Sequence, residues 1–246
     1  MRFVLVHGGF HGAWCWDRLV PELARRGHST VTVDLPGHGA RVDEDATLLG
    51  YRDAVVEVLE PGDILVGHSM GGFVVSLAAD AAVDVVRHVV YLAGGLPLEG
   101  EPLVAAGAGI HEDERGLAET IEVIDDGRRM RFRTDAAAID FFYHDCDADL
   151  ARWACSRLTP EPLGPMFEPI SISRFWEAQL PRSLILCRQD HAGGDASAAA
   201  RTVVRLGVEP FWMDTSHSPF LSQPAAVAVL LEDAAASSPV GPLLPR

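Results

Sequence analysis

The sequence contains no lysine and no asparagine, so its 20 basic residues are all arginine. Against them stand 35 carboxylates, leaving a formal net charge of -15 at pH 7. A chain so acidic repels phosphate backbones and anionic lipid, which weighs against nucleic acid and membrane surfaces as partners and favours a neutral small molecule. Long hydrophobic runs are also missing. Although 48% of the residues are hydrophobic, they come in short stretches, and none approaches the length needed to cross a bilayer as a helix. Cysteine is scarce and scattered: Cys15, Cys146, Cys155 and Cys187 form no CxxC pair, which argues against a zinc site and reads as buried thiols. The N-terminal "MRFVLVHGG" runs directly into an apolar strand, without a basic head, long apolar segment and cleavage site in order, so a cytoplasmic chain is expected. Oligomeric state is open, a homodimer included.

Turning to what is there, 246 residues suit one large α/β domain. Short β-branched runs at 3–7, 29–34, 63–68, 88–93, 183–187 and 208–214 are mostly apolar throughout, as strands covered on both faces should be. Helical spacing fills the gaps over 16–27, 51–62 and 70–82, so the pattern predicts a mostly parallel sheet of about six strands flanked by helices. The alternation breaks after the fourth strand. Residues 96–181 read as an inserted lid, with a hairpin over 121–132 turning at Asp126 and Gly127, one helical stretch over 136–158 and a proline-rich loop. On this reading 1–95 and 182–235 form the core, and 236–246 a mobile tail.

"LVGHSMGGF" places Ser69 between two glycines at the end of the third strand and the start of a helix. A bare G-x-S-x-G arises by chance in roughly one chain in ten, and an incidental serine in a tight turn is the competing explanation. The strand-to-helix context is what makes it a nucleophile elbow, with a helix N-terminus aimed at a developing oxyanion. A serine hydroxyl needs a histidine to take its proton and a carboxylate to orient that histidine. His217, in a loop after the last strand, is the best base. Asp190, just past the end of the strand at 183–187, is the best acid; Asp195 is a weaker candidate, and Asp214 is too close to His217 along the chain. His68, beside the serine, reads as structural. The turn "HGGFHG" after the first strand supplies a second oxyanion donor, which pairs Gly9 N–H with Met70 N–H.

"VLVHGGFHGAWCW", "DLPGHG", "GHSMGGFV", "FFYHDC", "LPRSLILCRQD" and "DTSHSPFLSQP" together resemble the α/β-hydrolase superfamily, in the branch of small esterases that includes plant methylesterases and hydroxynitrile lyases. The resemblance runs to about residue 233 and implies the α/β-hydrolase fold, Ser69 as nucleophile, His217 as base, Asp190 as acid and no metal or organic cofactor. Arg188 and His191 depart from the branch's usual residues around the acid. The activity it implies is hydrolysis of a small carboxylic ester through an acyl-enzyme. Thioester hydrolysis, carbon–carbon bond hydrolysis or a lyase reaction are the alternatives, and a ligand-binding receptor is a further one. Cyanohydrin cleavage is disfavoured: lyases of the branch use a lysine beside the histidine or an asparagine near the oxyanion turn, and this chain has Ser218 and Gly8 there. Eight aromatic residues fall within 132–176, which points to an apolar or aromatic substrate; Phe10, Phe142, Trp153 and Phe167 are the candidate contacts.

Overall fold

A computed structural model describes residues 1–96, 98–105, 117–178, 180–192 and 196–237. The first half lays down β1 (Arg2–Val6), β2 (Ser29–Val33), β3 (Asp63–His68) and β4 (Val86–Leu92). Helices Leu19–Arg25, Leu48–Val56 and Gly71–Ala81 separate them. Phe3, Val4, Leu5 and Val6 of β1 and Ile64, Leu65 and Val66 of β3 are all fully buried. Each such side chain contributes about 1.5–3 kcal/mol over its exposed state, so these two adjacent strands anchor the domain.

The chain leaves the sheet after β4 for a second, smaller sheet. There β5 (Ile121–Ile124) and β6 (Arg129–Phe132) pair antiparallel, with Ile121 opposite Phe132. The turn between them puts Asp125, Asp126 and Gly127 at positive φ (53°, 54° and 85°), one residue earlier than the sequence marks it. A two-residue third strand, β7 (Glu161–Pro162), sets Glu161 opposite Met130.

The helical stretch read as continuous over 136–158 is two helices, Asp135–Phe142 and Ala148–Cys155. Local capping breaks it: Asp147 accepts a hydrogen bond from Leu150 N–H, so a new helix starts where the first would have continued. Tyr143, at the break, is fully buried.

The chain then returns as β8 (Arg182–Cys187), which pairs directly with β4. Beyond the helix Ala196–Leu206 come β9 (Phe211–Met213) and the helix Pro224–Ala236. The six-stranded sheet runs β2-β1-β3-β4-β8-β9 with every pair parallel, so all strand C-termini open on one edge. Cys15, Cys155 and Cys187 are buried and Cys146 half-buried, all four as free thiols. Of the expected tail, residues 238–246 lie outside the described residues.

The helix Gly71–Ala81 packs its first residue against the end of β1. A Cβ on Gly71 would stand 2.6 Å from both Val6 O and His7 O, backbone atoms of the last residue of the strand and the one after it. Gly71→Ala is therefore expected to cost on the order of 3 kcal/mol, read as a lowered urea midpoint. An unchanged midpoint would show that the helix can slide off the strand.

Candidate active site

Ser69 stands between β3 and the helix Gly71–Ala81 with φ at +51°. The left-handed region costs a non-glycine residue about 1–2 kcal/mol, and here the surroundings enforce it. A Cβ on Gly67 would lie 2.4 Å from Gly71 O, so the turn closes only without one. Ser69 N–H donates to Leu92 O at 3.2 Å, and Gly72 N–H donates to Ser69 O at 2.9 Å. Two further non-glycine residues with positive φ, Phe10 at 64° and Ala93 at 46°, follow β1 and β4. Backbone strain thus collects at the C-terminal edge of three adjacent strands.

His217 follows β9 and is buried, with Nδ1 at 2.9 and 2.8 Å from the two carboxylate oxygens of Asp190. Carboxylate oxygens accept, so Nδ1 carries a hydrogen. His217 Nε2 is buried and has no hydrogen-bond partner among the described residues. Asp190 is tied in turn: Ala192 N–H donates to its Oδ1 at 2.8 Å, and the preceding Gln189 N–H donates to Thr215 O at 3.1 Å. On the other side, the Phe142 ring stacks on the His217 ring at 5.6 Å and 24°. His68 Nε2 donates to His217 O at 3.0 Å, so this histidine positions the backbone of the other. Asp214 instead faces Arg188 at the exposed surface, and Asp195 lies outside the described residues.

The loop after β1 is held by histidines. His11 Nδ1 donates to Gly9 O at 2.7 Å, and its Nε2 lies 2.7 Å from the Tyr143 hydroxyl, which donates to it. His7 Nδ1 donates to Gly8 O at 2.8 Å, leaving Nε2 to accept from Leu35 N–H at 3.2 Å. Burial pushes His11 down to about 3 and holds His7 and His68 well below the ordinary 6.5. The same loop meets the lid at Phe10: its N–H donates to Glu161 Oε2 at 2.6 Å, and its carbonyl accepts from Thr159 N–H at 2.9 Å. The N–H groups of Gly9 and Met70, by contrast, make no hydrogen bond among the described residues.

A cavity of about 50 Å³ opens over Ser69, Gly9 and Met70 and is roofed by Ile121, Met130, Phe141 and Phe142. Phe10 and Phe142 line it, as the sequence suggests, but Trp153 and Phe167 do not. Trp153 packs edge-on against Trp14 at 5.4 Å, serving the junction between lid and core. Phe167 points outward, 65% exposed, while its neighbour Met166 faces the cavity. Sequence reasoning missed Glu161, which also lines the cavity. Its carboxylate sits in a proline-rich stretch and meets Phe10 across 151 residues, a separation that no local pattern reports. Among the described residues no group of acidic, histidine or cysteine side chains is arranged to hold a metal ion.

A parallel sheet with a strained serine at the strand-to-helix turn, and a histidine–aspartate pair from later loops, defines the hydrolase class of α/β proteins. The chain belongs to the Alpha/beta hydrolase family, which matches it over residues 3–230. Esterase PIR7B of Oryza sativa subsp. japonica is 43% identical over 109 residues, 41% of each chain. Methylesterase 9 of Arabidopsis thaliana is 39% identical over 104 residues, 39% of this chain and 41% of its own. The matched segment thus spans about two fifths of these relatives' length. An extracellular alpha/beta-hydrolase from a Paenibacillus species shares the fold, with a TM-score of 0.82 at 23% identity, covering 96% of this chain and all of its own. No helix among the described residues is long and apolar enough to cross a membrane.

The histidine cluster generates a pH prediction. His7, His11, His68 and His88 are held neutral in the fold, His88 being lowered to about 4 and His11 to about 3. The unfolded chain protonates each ring below about 6.5, so between that pH and the folded values it binds more protons than the native state does. Stability is then complete above about pH 6.5 and falls on acidification, by roughly 1 kcal/mol per pH unit for each ring. Thermal melts should show a level Tm from about pH 7.5 to about pH 6.5 and a steadily falling one from there to about pH 4.5; a flat profile throughout would contradict these assignments. A second test addresses the strain: Ser69→Gly should raise stability by about 1 kcal/mol, whereas Ser69→Ala should leave it unchanged.

Proposed function

We propose that the chain is a serine hydrolase that cleaves a small carboxylic ester, with Ser69 as nucleophile, His217 as base and Asp190 as the acid that orients it. The observation that carries this reading is the half-occupied ring of His217. One nitrogen is fixed on Asp190, while the other is buried without a partner among the described residues. Burying a polar atom unpaired costs about 1–3 kcal/mol, and a bond to the Ser69 hydroxyl would recover it.

In this reading Ser69 Oγ attacks the ester carbonyl carbon as its proton passes to His217 Nε2. The tetrahedral oxyanion takes its hydrogen bonds from Gly9 N–H and Met70 N–H. Phe10 N–H is committed to Glu161, which supports Gly9 as the donor from that loop. The intermediate collapses, the alcohol leaves with the proton from His217, and an acyl-enzyme remains. Water then attacks the acyl carbon, again giving its proton to His217, and the carboxylic acid departs as Ser69 recovers the proton. Asp190 stabilises the imidazolium in both steps without becoming protonated. No step calls for a metal or an organic cofactor. The apolar roof of Ile121, Met130, Phe141 and Phe142 suits an apolar or aromatic group on the ester.

Ser69→Ala or His217→Ala should reduce hydrolysis of p-nitrophenyl acetate by roughly 10⁴- to 10⁶-fold. Asp190→Asn should lose as much or less while melting like the native chain. A serine-directed fluorophosphonate should add to Ser69, located by peptide mass mapping. Near-normal turnover by Asp190→Asn, or labelling at another serine, would overturn the assignment.

A further inference from the structure

The mechanism above makes no use of Glu161, yet this carboxyl is buried, 1% exposed, in the wall of the same cavity. Its Oε2 is doubly engaged, by Phe10 N–H at 2.6 Å and by His38 Nε2 at 2.8 Å. Its Oε1 is buried and has no partner among the described residues. Apart from the backbone of the serine and oxyanion turns and the Ser69 hydroxyl, the other cavity walls are apolar. Among the described residues, Oε1 is the one buried side-chain oxygen of the inserted segment left without a partner, and it belongs to a residue that lines the cavity over Ser69.

Which hydrogen-bonding role Oε1 plays follows from its neighbours. His38 Nδ1 lies 3.2 Å from Pro36 O, which can only accept, so Nδ1 carries a hydrogen. One proton then lies on the contact between Nε2 and Oε2. With the proton on nitrogen, Glu161 is a carboxylate; with the proton on Oε2, Oε1 is the carbonyl oxygen of an acid. In both states Oε1 is a bare acceptor.

We propose that Glu161 is a specificity-determining residue whose Oε1 accepts a hydrogen bond from a hydroxyl group on the substrate, a few bonds from the scissile carbonyl. The site then selects hydroxylated esters over their plain or O-methylated counterparts. The proximity follows from Gly9: a Cβ there would lie 3.0 Å from Glu161 Oε2 and 3.9 Å from Oε1, and the Gly9 N–H is the proposed holder of the carbonyl oxygen. This inference rests on the esterase reading of Ser69. The hydroxyl can sit on the acyl or on the alcohol arm, and the test separates the two.

The test compares kcat/KM for matched esters on the purified chain. The acyl arm uses p-nitrophenyl butanoate, 3-hydroxybutanoate and 3-methoxybutanoate; the alcohol arm uses the acetates of propanol, ethylene glycol and 2-methoxyethanol. In one arm the hydroxylated ester should exceed its methoxy partner by about 10- to 100-fold. Glu161→Gln should level that preference: Phe10 N–H demands an oxygen at the Oε2 position, so the amide NH₂ falls where Oε1 was and offers a donor that hydroxyl and ether oxygens accept alike. Plain p-nitrophenyl acetate serves as the control. If the native chain turns it over and Ser69→Ala does not, the esterase reading stands, and ratios near one in both arms would then overturn the Glu161 proposal alone. A native chain that cleaves none of these esters would instead sink the esterase reading. An unchanged preference in Glu161→Gln would also overturn the proposal, and should that variant fail to fold, the native ratios still decide.

Discussion

The arrangement depends on one close approach, the first turn of the helix Gly71–Ala81 against the end of β1. Only a residue without a side chain fits there, because Val6 O and His7 O already occupy the space a Cβ would need. That contact brings two strand ends and one helix N-terminus to a single point. Ser69 is forced into the left-handed region by it, and Met70 and Gly9 come to line one cavity with the serine. The cost is local strain at Phe10, Ser69 and Ala93. It is offset by the parallel sheet beneath them, in which the apolar side chains of β1 and β3 are fully buried.

Around this point the protein uses neutral polar groups in preference to charges. His7, His11 and His68 sit within a fully buried layer, each donating a ring N–H to a backbone carbonyl, and burial keeps them unprotonated. Neutral rings can brace the loops without adding positive charge next to His217, whose ring lies 4.6 Å from that of His68. In the proposed reaction, a proton arriving at His217 would be met by the carboxylate of Asp190 and by no competing cation from these rings.

The parts of the site that follow strand ends were legible in the sequence. Ser69 comes after β3, Asp190 after β8 and His217 after β9, and apolar runs bounded by glycine or aspartate mark each end. The contact between His217 and Asp190 links two such positions. Side chains from the lid were not legible in the same way, since composition reveals an excess of aromatics without saying which face each takes. Phe142 turns inward on its helix, while Phe167 turns out and Trp153 serves the lid's junction with Trp14. The helix break at Tyr143 depended on a cap at Asp147 that competes with an otherwise continuous helical pattern. Glu161 was hidden for a further reason: a two-residue strand inside a proline-rich loop carries no periodicity at all.

The lid is joined to the core by more than apolar contact. Thr159 and Glu161 hold the backbone of Phe10 from both sides, and Tyr143 holds His11, so the insertion forms part of the wall that shapes the turn after β1. Such a lid is not an exchangeable module. A chimera that grafted a relative's insertion onto this core would inherit its substrate-facing residues, but it would leave the Phe10 amide and His38 facing an unmatched surface unless the graft brought a carboxylate of its own. Recombination breakpoints at the two ends of the insertion would therefore separate residues that must be inherited together, and functional diversification of this scaffold is expected to proceed by point changes within the lid.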